Sequence, residues 1–232
     1  MAELEAAYPP HEREARTKGI PSLGRGAIYP VADADIVCKP FEIPAYYKQA
    51  YALDVGWNVT AAIWGALDPE SDVLYLYSEH YRSEAEPPIH AAAIKARGEW
   101  IPGVIDPASR GRGQADGESL FQQYQLMLKT LSLANNAVES GLYEVWTRMS
   151  TGRLKAFDNL QHFWEEKRLY RRDEKGKVVK DGDHVMDCVR YLVMSGIHRA
   201  IGRPHIMWPE VGKNKRHQFE YNPMAEFYKV KP

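Results

Sequence analysis

The stretch Tyr46-Tyr-Lys-Gln-Ala-Tyr-Ala-Leu-Asp54-Val-Gly-Trp57-Asn-Val-Thr-Ala-Ala-Ile-Trp-Gly-Ala-Leu67 holds two apolar runs separated by an aspartate and a glycine. Runs this short, rich in aromatic and β-branched side chains and bounded by turn residues, read as buried strands. They predict strands over 46–55 and 59–67. Asp68-Pro-Glu-Ser-Asp72 is the next turn. In Val73 to Tyr81, Val, Tyr and Tyr alternate with Leu, Leu and Ser, which predicts a third strand. The three form an antiparallel meander.

Downstream the period changes. Pro87-Pro88 opens a predicted helix over 89–98, where proline is tolerated in the first turn. A strand over 100–105 ends at Asp106, and a glycine-rich loop follows from Gly111. A helix begins at Ser119, a strand covers 131–134, a helix 138–150, and a strand 154–157. An amphipathic helix over 159–170 leads to a hairpin over 171–180 with Lys175-Gly176 at its tip, and a long helix covers 183–198. A meander followed by alternating helices and strands argues for an α/β fold, a mixed central sheet flanked by helices. Residues 1–40, charged and turn-rich, read as a linker, with the main domain over 41–200 and a peripheral tail over 201–232.

The formal net charge of the 232-residue chain is -1, so bulk charge does not advertise nucleic-acid binding. Cys38 and Cys188 are the only cysteines, too few for a disulfide framework or a zinc site, which suggests a reducing cytoplasm. The first residues lack the pattern of a signal peptide, and no apolar run is long enough to span a membrane. There is no G-x-x-x-x-G-K-[ST] phosphate loop, so ATP hydrolysis is not expected of this chain.

Three separated pieces carry acids. Asp54 ends the first strand, with Gly56 just beyond to admit a close approach. Asp106 precedes Pro107, which holds it extended at a strand end. Asp183 and Asp187 lie one helical turn apart on one face. A pocket of such carboxylates is hard and oxygen-rich, suited to Mg²⁺ or Mn²⁺ rather than zinc. The alternatives are a bulge at Asp54, a turn at Asp106, an N-cap at Asp183, and a buried ion pair between Asp187 and Arg190. His184 is placed to orient water or a phosphate. Lys167, Arg168, Arg171, Arg172, Lys175, Lys177 and Lys180 form a dense basic stretch beside the third acidic piece, with Arg110 and Arg112 after Asp106. These are the candidate DNA contacts, to phosphates rather than bases.

Ala52-Leu-Asp-Val-Gly-Trp57, Val104-Ile-Asp-Pro-Ala-Ser109, Leu169-Tyr-Arg-Arg-Asp-Glu-Lys-Gly-Lys177 and Lys180-Asp-Gly-Asp-His-Val-Met-Asp-Cys-Val-Arg-Tyr191, with Tyr8-Pro-Pro-His-Glu-Arg13 and Ile28-Tyr-Pro-Val31, resemble the nuclease domain of a tailed-bacteriophage terminase large subunit. The last of the four is the most specific. The resemblance implies a ribonuclease H-like fold and an endonuclease that uses two Mg²⁺ or Mn²⁺ ions to cut concatemeric double-stranded viral DNA at the start and end of packaging. It implies metal ligation by Asp54, Asp106 and Asp187, accessory roles for Asp183 and His184, and control of DNA access by the hairpin. The implied partners of the whole protein are an ATPase motor, a small terminase subunit and the capsid portal. The implied setting is the host cytoplasm at the procapsid portal, with no membrane contact and a monomeric isolated domain. Tyr8 to Arg13 then looks like the end of the motor or its linker. The rival readings are another ribonuclease H-like nuclease of resolvase or integrase type, and a non-catalytic module that clamps DNA or docks on the portal.

Overall fold

Residues 26–111 and 119–204 are described by the computed structural model; Arg112, the glycine-rich loop after Gly111, and most of the expected linker and tail lie outside the described residues. The central element is β2 (Lys48–Asp54), followed by β3 (Thr60–Leu67) and β4 (Leu74–Arg82), the expected antiparallel meander. β2 is buried from Gln49 to Leu53 because both of its faces are covered. Ala50 and Ala52 join one apolar cluster, while Tyr51 and Leu53 join another on the opposite face. Strands covered on both sides read as continuous apolar runs, as here.

β5 (Gly103–Ile105) lies parallel to β2, and β6 (Leu131–Leu133) lies parallel to β5. Gly103 pairs with Tyr51, and a Cβ at Gly103 would overlap the Tyr51 ring. The glycine therefore lets an aromatic cross β5 at the sheet centre. On the far side, β7 (Leu154–Phe157) runs parallel to β4, and β1 (Val37–Cys38) is the edge strand. The seven-stranded order is β1-β7-β4-β3-β2-β5-β6.

Helices cover both faces. α2 (Pro87–Lys95) and α3 (Leu120–Met127) place Ile94 and Tyr124 against Tyr51 and Trp64. Ser119 and Gln122 close a reciprocal capping box at the start of α3. On the other face, α4 (Val138–Ser150), α5 (Gln161–Leu169) and α6 (His184–Tyr191) pack Val145, Phe163 and Val189 onto the sheet.

Two expectations change. Buried structure begins inside the segment expected as a linker: a short helix α1 (Asp33–Ile36) leads into β1, and Ile28, Tyr29 and Ile36 are buried. The last helix is regular only to Tyr191, after which Leu192–Gly196 forms a π-helical turn.

Candidate metal centre

Parallel pairing of β2 with β5 brings their C-terminal ends side by side, with Leu53 opposite Ile105. Asp54 and Asp106 follow, and the Asp106 backbone N–H donates to Leu53 O at 3.0 Å. Asp106 caps a 3-10 turn over Pro107–Arg110, accepting from Ala108 N at 3.1 Å. The Tyr191 hydroxyl donates to the same carboxylate at 2.9 Å. Helix α6 thus reaches the strand ends from both termini, because its first residue, His184, lies 2.9 Å through Nδ1 from Asp54 Oδ2.

Asp187 sits inward on α6, only 8% exposed. Arg190 donates to its Oδ1 at 2.9 Å, and Lys180 donates to its Oδ2 at 2.7 Å. Lys180 Nζ also lies 2.9 Å from Asp183 Oδ2, yet no hydrogen bond is aligned on that buried oxygen. Asp183 occupies the N-cap position but makes no cap. The capping group is Glu166 of α5, whose Oε2 accepts from Val185 N at 2.6 Å and Met186 N at 3.1 Å.

Burial pushes the Asp54 carboxyl above its ordinary pKa; the hydrogen bond from His184 opposes the shift, and the charges of Asp106 and Asp187 add to it. His184 is raised chiefly by its bond to Asp54, against its own burial. Both shifts are consistent with a proton held in the pair. Burial lifts Glu166 to about 7, against the stabilising backbone N–H groups of Met186 and Val185.

Among the described residues, no three acidic, histidine or cysteine side chains already form a cation cage. The donor set nevertheless suits a hard divalent ion. The donors are carboxylate oxygens, Asp183 Oδ2 is buried without an aligned donor, and Asp54 feels two neighbouring negative charges. When all four acids are ionised they face two permanent cations, Lys180 and Arg190. The acids outnumber these cations, so the site keeps a net negative charge that divalent ions would offset.

The basic stretch divides. Lys167 is buried against Val31 O and Asp33, both at 2.7 Å, so it is withdrawn from the candidate DNA contacts. Arg172 is likewise committed, as a fork on Glu139 at 2.7 and 3.0 Å and to Gly176 O. Long basic side chains can cross a domain to reach a carboxylate, which a local charge run does not reveal. Arg168 is paired to Asp33 but exposed. Arg110, Arg171, Lys175 and Lys177 are exposed. The expected hairpin is present, closed by the Arg172–Val178 bridge. Sequence reasoning missed Glu166 as the helix cap and Tyr191 as an Asp106 partner. The Arg-Tyr pair after Asp187 was visible, but a cap supplied from another helix leaves no local signature.

Residues 52–195 match the model of the terminase RNaseH-like domain family. The chain is 38% identical over 211 residues to the large terminase subunit of Enterobacteria phage LP7, covering 87% of this chain but only 44% of that protein. The solved nuclease domain of the P22 large terminase superposes with a TM-score of 0.70 at 34% identity, over 78% of this chain and 96% of that one. The large terminase nuclease domain of bacteriophage SPP1, solved with bound Mn, shares the fold at 13% identity and a TM-score of 0.53, over 67% of this chain and 92% of that one.

Proposed function

The chain belongs to the terminase RNase H-like domain family, and on that premise we propose that it is a metal-dependent endonuclease that cuts double-stranded viral DNA at the start and end of genome packaging. The observation that carries the reading is that Asp54 and Asp106 follow two adjacent parallel strand ends and are both bonded, through His184 and Tyr191, to the helix that carries Asp187. The SPP1 relative solved with Mn supports the choice of ion.

In this reading Asp54, Asp106 and Asp187 hold two Mg²⁺ or Mn²⁺ ions, with Asp183 as an accessory ligand. Ions so held supply a more acidic water and stabilise charge on the attacking and leaving oxygens of an in-line displacement. The protein's own groups do the rest. His184 holds the Asp54 carboxylate in place through Nδ1, which leaves Nε2 as the nitrogen to accept or return a proton. Tyr191 fixes the rotamer of Asp106. Arg110, Arg171, Lys175 and Lys177 are exposed and placed to hold phosphates without reading bases, and Arg168 would have to leave Asp33 to join them. The nuclease would act at the portal in the host cytoplasm, with an ATPase motor and a small subunit as its partners.

The test is plasmid cleavage with Mn²⁺, Mg²⁺, Ca²⁺ or EDTA, beside Asp54→Asn and Asp106→Asn checked for fold by circular dichroism. Metal-dependent cutting by the parent and none by the folded variants is expected. Cutting that survives in Asp54→Asn would remove this reading. A second reading, a non-catalytic DNA clamp, has the double pairing of Asp187 in its favour. A folded parent that binds DNA but cuts with no metal would select it.

A further inference from the structure

Trp57 lies three residues beyond Asp54, and its side chain is 62% exposed. No other tryptophan among the described residues is exposed. Its exposure alone is ordinary, since Leu126 and Leu169 are exposed too; what sets it apart is a flat aromatic face beside the strand-end acid. The loop beneath it is held firmly. The Thr60 hydroxyl donates to Gly56 O at 3.0 Å, and Glu84 N donates to Trp57 O at 2.9 Å. A Cβ at Gly56 would stand 3.0 Å from Val59 O, so the turn is tight. The ring is thus presented to solvent on a fixed backbone.

Beside the ring runs a groove of about 200 Å³, walled by Gly56, Trp57, Pro87 and Leu120, with Glu86, Gln123, Thr60 and Tyr124 among its lining as polar side chains. That is the volume of roughly seven waters, room for one nucleobase but not a pair. No lysine or arginine lines it, and Glu86 carries a carboxylate. Such a groove repels a phosphate and admits an uncharged planar ring with hydrogen-bonding edges. Three residues separate Cα atoms by at most about 11 Å. Phosphates along one strand of B-form DNA are spaced about 3.4 Å along the helix axis. A strand with a phosphate at Asp54 therefore brings a base within one to three nucleotides of Trp57.

We propose that Trp57 and this groove form a base-stacking subsite, taking one unpaired nucleobase of the DNA strand next to the phosphate that metal ions on the acids would hold. The proposal rests on the nuclease reading for its orientation and deepens it by naming what the site does to the duplex. A base in an intact helix must leave its stack, at a cost of a few kcal/mol, least where it is already unpaired. Stacking on an aromatic offsets that cost whatever the base. DNA that is frayed, gapped or mismatched near the cut should accordingly bind better than a perfect duplex.

The experiment measures binding by fluorescence anisotropy in Ca²⁺ without Mn²⁺ or Mg²⁺, with perfect and gapped duplexes, over a range of salt. The proteins are the parent chain, Trp57→Ala, Trp57→Phe and Lys177→Ala, each checked by thermal melting. Trp57→Ala should weaken binding of gapped DNA about fivefold to a hundredfold, with Trp57→Phe retaining most of the affinity. The salt slope should be unchanged in Trp57→Ala, because stacking releases no counterions, and smaller by about one in Lys177→Ala. Equal binding by parent and Trp57→Ala, or equal loss in Phe and Ala, overturns the subsite. So does a parent that does not prefer gapped DNA. Plasmid cleavage with Mn²⁺ separates the two claims. A parent that cuts while Trp57→Ala binds normally removes the subsite alone. A parent that never cuts while Trp57→Ala loses gapped DNA removes the nuclease alone.

Discussion

Asp187 has both carboxylate oxygens engaged, one by a buried arginine and one by a lysine from the hairpin side. The two cations differ in what they can surrender. Arg190 is 1% exposed, and its other fork nitrogen donates to Asn136 at 3.0 Å, so it is part of the scaffold. The Lys180 side chain is 58% exposed and on a flexible four-carbon stem. Its ammonium carries one charge between two acids where a divalent ion would carry two. Lys180 is therefore a competitor for the ion, and binding of metal must push it aside. Replacing it makes the site more negative by one charge, favouring a second ion. Lys180→Ala should bind Mn²⁺ about three- to tenfold more tightly by calorimetry without DNA, a range that allows for solvent screening of a half-exposed amine. Unchanged affinity and stoichiometry would mean that the lysine only packs.

At the scale of elements, the acid-bearing helix is positioned by carboxylates on its neighbours. Glu79 of β4 accepts from His162 N and Phe163 N at 3.0 Å, capping α5. Glu166 of α5 then caps α6 in the same manner. The sheet thus sets α5 and α5 sets α6, so that His184 and Asp187 inherit their places from β4. Caps of this kind contribute about 1–2 kcal/mol each. Glu166 also imposes a pH dependence. Its folded-state value of about 7 lies above the ordinary 4.5, so the native state holds this proton more tightly than the unfolded chain. Its contribution to stability is fully present below about 4.5 and is lost as pH rises toward 7, by about 3 kcal/mol in all. Glu166→Gln keeps an acceptor for the two N–H groups and cannot ionise. Urea unfolding in EDTA should show the parent losing stability relative to Glu166→Gln between pH 4.5 and 7. Parallel curves would show that Glu166 titrates normally.

Across the whole molecule, the regular pieces were legible. Strand 154–157 and helix 138–150 have the bounds their side-chain patterns predict, and the meander differs only at its ends by one or two residues. The strand-end acids were legible too, because an apolar run that stops at an aspartate marks where a buried strand meets solvent. What escaped was whatever a distant partner decides. Residues 26–38 are short, turn-rich and charged, the composition of a linker, yet Lys167 donates to Val31 O and Asp33 and draws the segment down. Ile28 N donates to Tyr170 O at 2.9 Å, and β1 pairs with β7. Burying Ile28 and Ile36 is worth about 1.5–3 kcal/mol each, and the Tyr29 ring adds to this less the cost of its unpartnered hydroxyl. Their sum approaches the ~5–15 kcal/mol by which whole domains are stable. Removing the segment would also strand Lys167, whose side chain is 4% exposed, without its anion. A chain beginning at residue 41, the domain start that composition suggests, should therefore melt far below the full chain or fail to fold. A chain beginning at residue 26 keeps the segment and should melt well above the chain beginning at residue 41. Thermal melting of the two truncations decides the boundary: equal melting temperatures would return residues 26–40 to the role of a linker.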